Sequence, residues 1–185
     1  LEETPAPELI TPGWREGAGL ILEPCEERRL HLYSPNTGES FNRVYWADGE
    51  YVPEALAEVN HLLRDYRANQ IKDIDPNLLD LLYNLNQKLE CESPFHVISG
   101  YRSPRTNAAL RKRNRKVARN SLHMAGMAVD LRMPDLHIKN LNNAAQEMRC
   151  GGVGYYSKRG FVHLDVGDVR TWQDGRKRKT KAKKA

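Results

Sequence analysis

Two short segments of this chain alternate apolar and polar residues with a period of two. In residues 127–131 a single acid, Asp130, stands between apolar neighbours. In residues 161–166 the apolar positions alternate with His163 and Asp165. Successive side chains of a β-strand point to opposite faces of a sheet, so each segment can bury one row of residues and present the other. The pattern predicts a sheet with one apolar face and one face that carries these three polar side chains.

Helical patterns elsewhere predict a cover for the apolar face. A helix is expected to begin at Pro53, because apolar residues then recur at helical spacing. A second, leucine-rich helix is expected after Asp75 and Pro76, since an N-cap residue followed by proline is typical of a helix start. Other predicted elements are a β-hairpin within residues 29–46, a strand at Phe95–Ser99 and helices near residues 106–116 and 135–149.

These elements predict an α+β fold, in which a small antiparallel sheet carries the polar site and the two apolar-striped helices pack on its other face. A chain of 185 residues with 39% hydrophobic content can bury one ordinary core. We expect a single domain over residues 28–173, preceded by a proline-rich extended segment at 1–27 and followed by a basic tail at 174–185.

The basic character of the chain is concentrated in that tail. The formal net charge is +5, but residues 175–185 contain seven lysines and arginines and no acid, so the rest of the chain is mildly acidic. The tail has no apolar residues to pack and is predicted to be disordered. A solvated tail is the simplest interpretation; contact with an anionic polymer, a membrane surface or nucleic acid is the alternative. Specific nucleic-acid binding is not expected.

Cysteine content and hydropathy narrow the class of protein further. Cys25, Cys91 and Cys150 are too few and too scattered for a disulfide framework, and form at most one pair. No run reaches the roughly 18 apolar residues of a membrane-spanning helix. The sequence begins with Leu1 and has no basic-then-apolar leader, as expected either for a trimmed chain or for one whose export signal has been removed.

The polar residues of the two strands, with His123 just upstream, form a candidate metal site. Imidazole and carboxylate ligands without a thiolate are typical of catalytic zinc, in which three protein ligands leave a fourth position open. The residue types alone leave the alternative that each histidine is a hydrogen-bonded structural residue.

A ten-residue motif carries a resemblance that favours the metal. Residues 121–130 read Ser-Leu-His-Met-Ala-Gly-Met-Ala-Val-Asp, which resembles the S-x-H-x-x-G-x-A-x-D signature of the zinc D-Ala-D-Ala metallopeptidases, relatives of lysostaphin and of the hedgehog signalling domain. Residues 99–104, 151–154 and 161–167, followed by Trp172, are similar to a murein endopeptidase branch of that family. Together the similar segments cover roughly residues 29–172.

The resemblance implies a role for each matching residue. His123, Asp130 and His163 match the ligands of one zinc ion per chain. Arg102 matches an arginine that binds substrate and stabilises the oxyanion, and Ser121 matches a residue that lies against the substrate.

The general base is the one position at which the chain departs from the family pattern. Many relatives place a catalytic Glu, Asp or His two or three residues before the last zinc ligand, but here those positions are Gly160 and Phe161. Asp165 follows His163 on the same strand face and is predicted to be the base instead. In the alternative, Asp165 ligates the metal and His163 is the base; we prefer the first assignment because neutral imidazole is the commoner zinc ligand.

The function implied by the resemblance is a zinc-dependent murein endopeptidase that hydrolyses peptide cross-links between stem peptides with metal-activated water. Such an enzyme would act as a monomer on peptidoglycan stem peptides in the periplasm or cell envelope. The alternatives are a D,D- or L,D-carboxypeptidase on stem peptides, or a catalytically silent zinc-fold module that binds cell wall.

Overall fold

The computed structural model describes residues 27–115 and 117–174. The strands are β1 (Glu27–Tyr33), β2 (Ser40–Ala47), β3 (Glu50–Tyr51), β4 (Phe95–Ser99), β5 (Ala128–Arg132), β6 (Gly152–Tyr156), β7 (Phe161–Asp165) and β8 (Arg170–Gln173). The helices are α1 (Pro53–Leu62), α2 (Pro76–Leu89), α3 (Pro104–Arg113) and α4 (Ile138–Met148), with a short 3-10 turn at Leu122–Ala125. The predicted extended segment and basic tail lie outside the described residues except at their inner ends, and their boundaries stay predictions.

All eight strands form one sheet in the order β3-β2-β1-β4-β5-β7-β6-β8. Two pairings are parallel, β1 with β4 and β6 with β8, and the other pairings are antiparallel. The predicted α+β class is confirmed, and the hairpin of β1 and β2 forms where it was expected. The sheet differs from the small antiparallel one expected, because it has eight strands and two of its pairings are parallel. Strands β3, β6 and β8 were not predicted. Parallel partners are joined through long connections, which leave no local signal in the sequence.

Both predicted helix starts are confirmed. Pro53 and Pro76 occupy the first turns of α1 and α2, where a proline has no intrahelical hydrogen bond to lose. The Asp75 carboxylate accepts a hydrogen bond of 3.0 Å from the backbone N–H of Asn77 and so caps α2. No helix within the described part of the chain is both long and apolar enough to cross a membrane.

Three of the helices, α1, α2 and α4, pack on the sheet. Helices α1 and α2 pack on β2 and β1, while α4 packs on β6 and β7. The apolar residues of β5 and β7 belong to this core and are at most 1% exposed: Val129, Leu131, Val162 and Leu164. The alternation seen in the sequence therefore does separate a buried apolar row from a polar row. Within the described chain, Cys91 and Cys150 are free thiols.

Candidate metal centre and active-site groove

The site is built on a row of residues that crosses five neighbouring strands. Directly paired residues lie on the same face of a sheet. Asp130 of β5 pairs with Ser99 of β4 on one side and with His163 of β7 on the other. His163 pairs in turn with Gly154 of β6, which pairs with Trp172 of β8. Residues far apart in sequence are thereby placed in one line.

His123 joins this row from the 3-10 turn in front of β5. Its Nδ1 lies 2.7 Å from the carbonyl oxygen of Gly100, an acceptor, so Nδ1 carries the proton and donates it. The other ring nitrogen, Nε2, is left with a lone pair and faces Asp130 and His163. A ligating histidine typically donates its second ring nitrogen to a carbonyl or carboxylate in this way.

Three ligand atoms converge at this point. His123 Nε2 lies 3.2 Å from Asp130 Oδ1 and 3.1 Å from His163 Nδ1, and the Asp130 and His163 atoms are 2.9 Å apart. Tetrahedral zinc with bonds of about 2.0–2.1 Å separates neighbouring ligands by about 3.3 Å. Two imidazole nitrogens and a carboxylate oxygen, all buried, therefore have the chemistry and spacing to hold a metal ion.

The charges of these groups depend on one another. Burial lowers the pKa of His123 and so favours the neutral ring that a metal requires. Burial alone would raise the pKa of Asp130, but the two neighbouring histidines hold it well below its usual range. Burial opposes the charged form of His163 as well, yet hydrogen bonds to Asp130 and Asp165 raise its pKa to about 9. The pocket thus favours a cation, either a proton or a metal, beside Asp130.

A cavity of about 550 Å³ opens above the three ligand atoms and is lined by both predicted substrate residues, Arg102 and Ser121. The Arg102 guanidinium donates hydrogen bonds to Asp130 Oδ2 at 3.3 Å and to the Ser99 hydroxyl at 3.4 Å. Its Nε is buried without a partner among the described residues. A cationic donor group therefore stands directly beside the ligand cluster.

Aromatic side chains form the opposite wall of the cavity. The ring of Tyr156 stacks on Phe161 with centroids 4.6 Å apart, and the Tyr156 hydroxyl accepts a hydrogen bond of 2.9 Å from the indole of Trp172. The indole also lies beside His163, at 5.1 Å between ring centroids. It can do so because Gly154 has no side chain: a Cβ there would lie 2.5 Å from the indole ring.

The structure places Asp165 behind His163 and not among the residues that line the cavity. Its side chain is fully buried, and it contacts His163 at Nε2, while Nδ1 is the nitrogen that faces His123 and Asp130. A base must reach the reacting water, and here the imidazole ring stands between the carboxylate and the cavity. The geometry does not favour the alternative in which Asp165 ligates the metal either, because both of its oxygens accept hydrogen bonds from other groups.

Sequence reasoning did not identify several groups that line the cavity. Tyr156, Arg159 and Arg170 all face it and had no predicted role. A glycine at every second residue, Gly152 and Gly154, was the available signal, because glycine inside a strand often marks the close approach of another group.

An open polar cavity with three possible nitrogen and oxygen ligands on its floor and an arginine beside them is typical of metal-dependent hydrolases. Comparison with known proteins places the chain more narrowly. The family model described as "Peptidoglycan L,D-endopeptidase MepK" matches residues 23–172. The chain therefore belongs to this family of metallopeptidases.

Curated relatives agree with that assignment. The chain is 47% identical over 171 residues to the peptidoglycan L,D-endopeptidase MepK of Escherichia coli strain K12. This alignment covers 89% of the present chain and 94% of the relative. The protein of the same name from Shigella flexneri gives the same figures. A probable peptidoglycan L,D-endopeptidase MepK of Haemophilus influenzae is 40% identical over 147 residues, or 79% of each chain. The family resemblance expected from the sequence motifs is confirmed.

Proposed function

We propose that this protein is a zinc-dependent murein endopeptidase that hydrolyses peptide cross-links between stem peptides. The observation that carries the proposal is the convergence of His123 Nε2, Asp130 Oδ1 and His163 Nδ1 on the floor of an open cavity. Membership of a family described by peptidoglycan endopeptidase activity supplies the substrate class. A peptidoglycan substrate implies action in the periplasm or cell envelope.

The three ligand residues would hold the zinc ion. When bound, zinc supplies Lewis acidity, which polarises a carbonyl and makes water nucleophilic near neutral pH. Burial and the hydrogen bond from His123 to Gly100 keep the imidazole neutral and oriented for that purpose. No proton-transfer step is assigned to Asp165.

Arg102 and the cavity walls would orient the substrate. The Arg102 guanidinium is held beside Asp130 and projects into the cavity, where it can donate to an oxygen that becomes negative during hydrolysis. Removal of one such donor costs about 3–4 kcal/mol of transition-state stabilisation in other enzymes. Arg159 is exposed at the cavity rim and can pair with a carboxylate of the stem peptide.

Purified sacculi test the activity directly. The zinc-loaded protein is incubated with sacculi, and the muropeptides are separated after complete glycan digestion. We expect cross-linked muropeptides to decrease and monomers to increase, and His123→Ala to abolish both this change and zinc retention. His61→Ala is the matched control, because His61 is an exposed histidine of α1 remote from the ligand cluster.

Two results would contradict the proposal. Unchanged muropeptides with zinc present would indicate a module that binds cell wall without cutting it. Shortened stem ends with intact cross-links would indicate a carboxypeptidase.

A further inference from the structure

The carboxylate of Asp165 is the most completely enclosed acidic group near the metal centre, at 0% exposure. Its Oδ1 accepts three hydrogen bonds, from the backbone N–H groups of Gly152 and Gly167 at 3.2 and 2.9 Å and from Arg170 Nη1 at 3.0 Å. Its Oδ2 accepts from Arg170 Nη2 at 2.7 Å and lies 3.0 Å from His163 Nε2. Four of these five contacts hold the carboxylate in place, and the fifth reaches the metal centre.

This arrangement determines which nitrogen of His163 keeps its proton when a metal binds. Each ring nitrogen faces a carboxylate, Asp130 at Nδ1 and Asp165 at Nε2, and an ionised carboxylate accepts hydrogen bonds and donates none. Asp165 is held by its own donors on the side away from the other ligand atoms, so it keeps a proton on Nε2. The nitrogen that can give up its proton to a metal is then Nδ1, which faces His123 and Asp130.

We propose that Asp165 is a positioning residue, which fixes the tautomer and the ring orientation of His163 so that Nδ1 is available to a metal ion. The inference rests on the proposed metal site. Carboxylates that accept from the second nitrogen of a ligating histidine commonly strengthen metal binding by 10–100-fold, an order of magnitude we expect here as well.

Strand β6 lies between β7 and β8 and leaves room for Arg170 to reach Asp165. Asp165 of β7 pairs with Gly152 of β6, which pairs with Arg170 of β8. A Cβ on Gly152 would lie 2.6 Å from Arg170 Nη1 and closer still to Asp165 Oδ2. The guanidinium of Arg170 thus crosses β6 over a position that has no side chain, and so anchors Asp165 against the ring of His163.

Asp165→Asn separates a tautomer effect from a loss of packing. The two backbone N–H groups and Arg170 Nη1 all donate to Oδ1, so they hold the amide oxygen of the asparagine on that side. The amide NH₂ is then directed at His163 Nε2. A donor there favours the tautomer with its proton on Nδ1, which blocks that nitrogen from a metal, as loss of the orienting carboxylate does in the Ser-His-Asp triad.

Asp80 provides the matched control. It is also a fully buried carboxylate paired with an arginine, since Arg28 Nη1 lies 2.9 Å from its Oδ1. The hydroxyls of Tyr45 and Tyr51 donate its remaining hydrogen bonds, and it lies on α2, away from the ligand cluster. Asp80→Asn therefore removes a comparable buried charge and should destabilise the fold, but residue 80 contacts none of the three metal-ligand residues.

The experiment measures the zinc dissociation constant of the wild type, Asp165→Asn, Asp165→Ala and Asp80→Asn by competition with a chelator, together with the melting temperature of each metal-free protein. We expect Asp165→Asn to bind zinc at least tenfold more weakly than the wild type, and Asp80→Asn to stay within about threefold. Asp165→Ala should melt at a lower temperature than Asp165→Asn and yet bind zinc no more weakly. A purely structural role predicts that affinity follows the melting temperature.

Several results would overturn the inference. Asp165→Asn could bind zinc as tightly as the wild type, or Asp165→Asn and Asp80→Asn could lose affinity equally. Nitrogen NMR of the zinc-loaded wild type tests it without any variant: the ring proton of His163 should reside on Nε2, and a proton on Nδ1 would refute the assignment. Failure of the wild type itself to bind zinc would instead refute the proposed function.

Discussion

The acids buried near the site each accept hydrogen bonds from their own donors. One of them, Asp65, holds the loop that carries Arg102, the predicted substrate-binding residue. Asp65 is 2% exposed, and its carboxylate accepts from the backbone N–H groups of Ser103 at 2.9 Å and Arg67 at 3.2 Å. Ser103 caps α3 and directly follows Arg102. The buried carboxylate therefore fixes the loop that carries Arg102 into the cavity.

Asp65→Asn should reduce stability in a pH-dependent way. Burial acts to raise the pKa of Asp65, but its hydrogen bonds to Ser103 and Thr106 outweigh this and leave the pKa lowered. A lowered pKa means that the charged form stabilises the fold above the unfolded value of about 3.9, and that this contribution is lost as pH falls through the folded value. We expect the variant to lose about 1–3 kcal/mol at pH 7, with the difference from wild type shrinking under acid.

Urea unfolding at a series of pH values measures this difference. Glu92→Gln serves as the control, because Glu92 is an exposed carboxylate. A difference between wild type and Asp65→Asn that stays constant down to the lowest pH at which the wild type folds would contradict the prediction.

The sequence predicted single residues best where a motif, or an alternation of apolar and polar residues, indicated which face of a strand they occupy. Asp130 and His163 were predicted to share a polar face, and their strands do place them side by side. Asp165 was predicted on the same face, also correctly, but its partner Arg170 comes from β8. Because that strand left no recognisable pattern, the function of Asp165 could not be derived from the sequence.

At the scale of elements, the glycines of β6 explain how the edge of the sheet reaches the metal centre. Gly152 makes room for the Arg170 guanidinium and Gly154 for the Trp172 indole. Helices and alternating strands were predictable because their periodicity reflects one buried face. Strand β6 was not predictable in this way, because two of its five residues are glycines, which make room for side chains of β8.

A double-mutant cycle tests the pairing of Gly154 with Trp172. Gly154→Ala should cost about 1–3 kcal/mol of unfolding free energy, because the new methyl group overlaps the indole. In a Trp172→Ala background the same change should cost little, since the obstacle is gone. Equal costs in both backgrounds, measured by urea unfolding, would show that the ring is not what excludes a side chain from position 154.

At the scale of the whole molecule, the ligand cluster ties together distant parts of the chain. His123 and His163 are separated by 40 residues, and the floor beneath them comes from β4, β5 and β7. The α+β class followed from the sequence, because local patterns showed both element types. The order of the strands and their two parallel pairings did not, because they depend on contacts between segments far apart in the chain.

Zinc should therefore stabilise the entire fold. A ligand that binds the folded chain alone, at a free concentration 100 times its dissociation constant, stabilises it by about 2.7 kcal/mol. For a domain of this size we expect the melting temperature to rise by about 5–10 °C. Thermal unfolding with and without zinc measures the shift, which should be absent in His123→Ala. An equal rise in that variant would indicate that the ion binds elsewhere.

The two glycines of β6 also have a practical consequence. Because Gly152 and Gly154 contribute no side chain to the groove, the space beside the metal centre is filled by Trp172, a residue on an edge strand of the sheet. An engineer could therefore enlarge or reshape the groove by exchanging that indole alone. The ligand residues and the apolar core on the reverse of the sheet would not need to change.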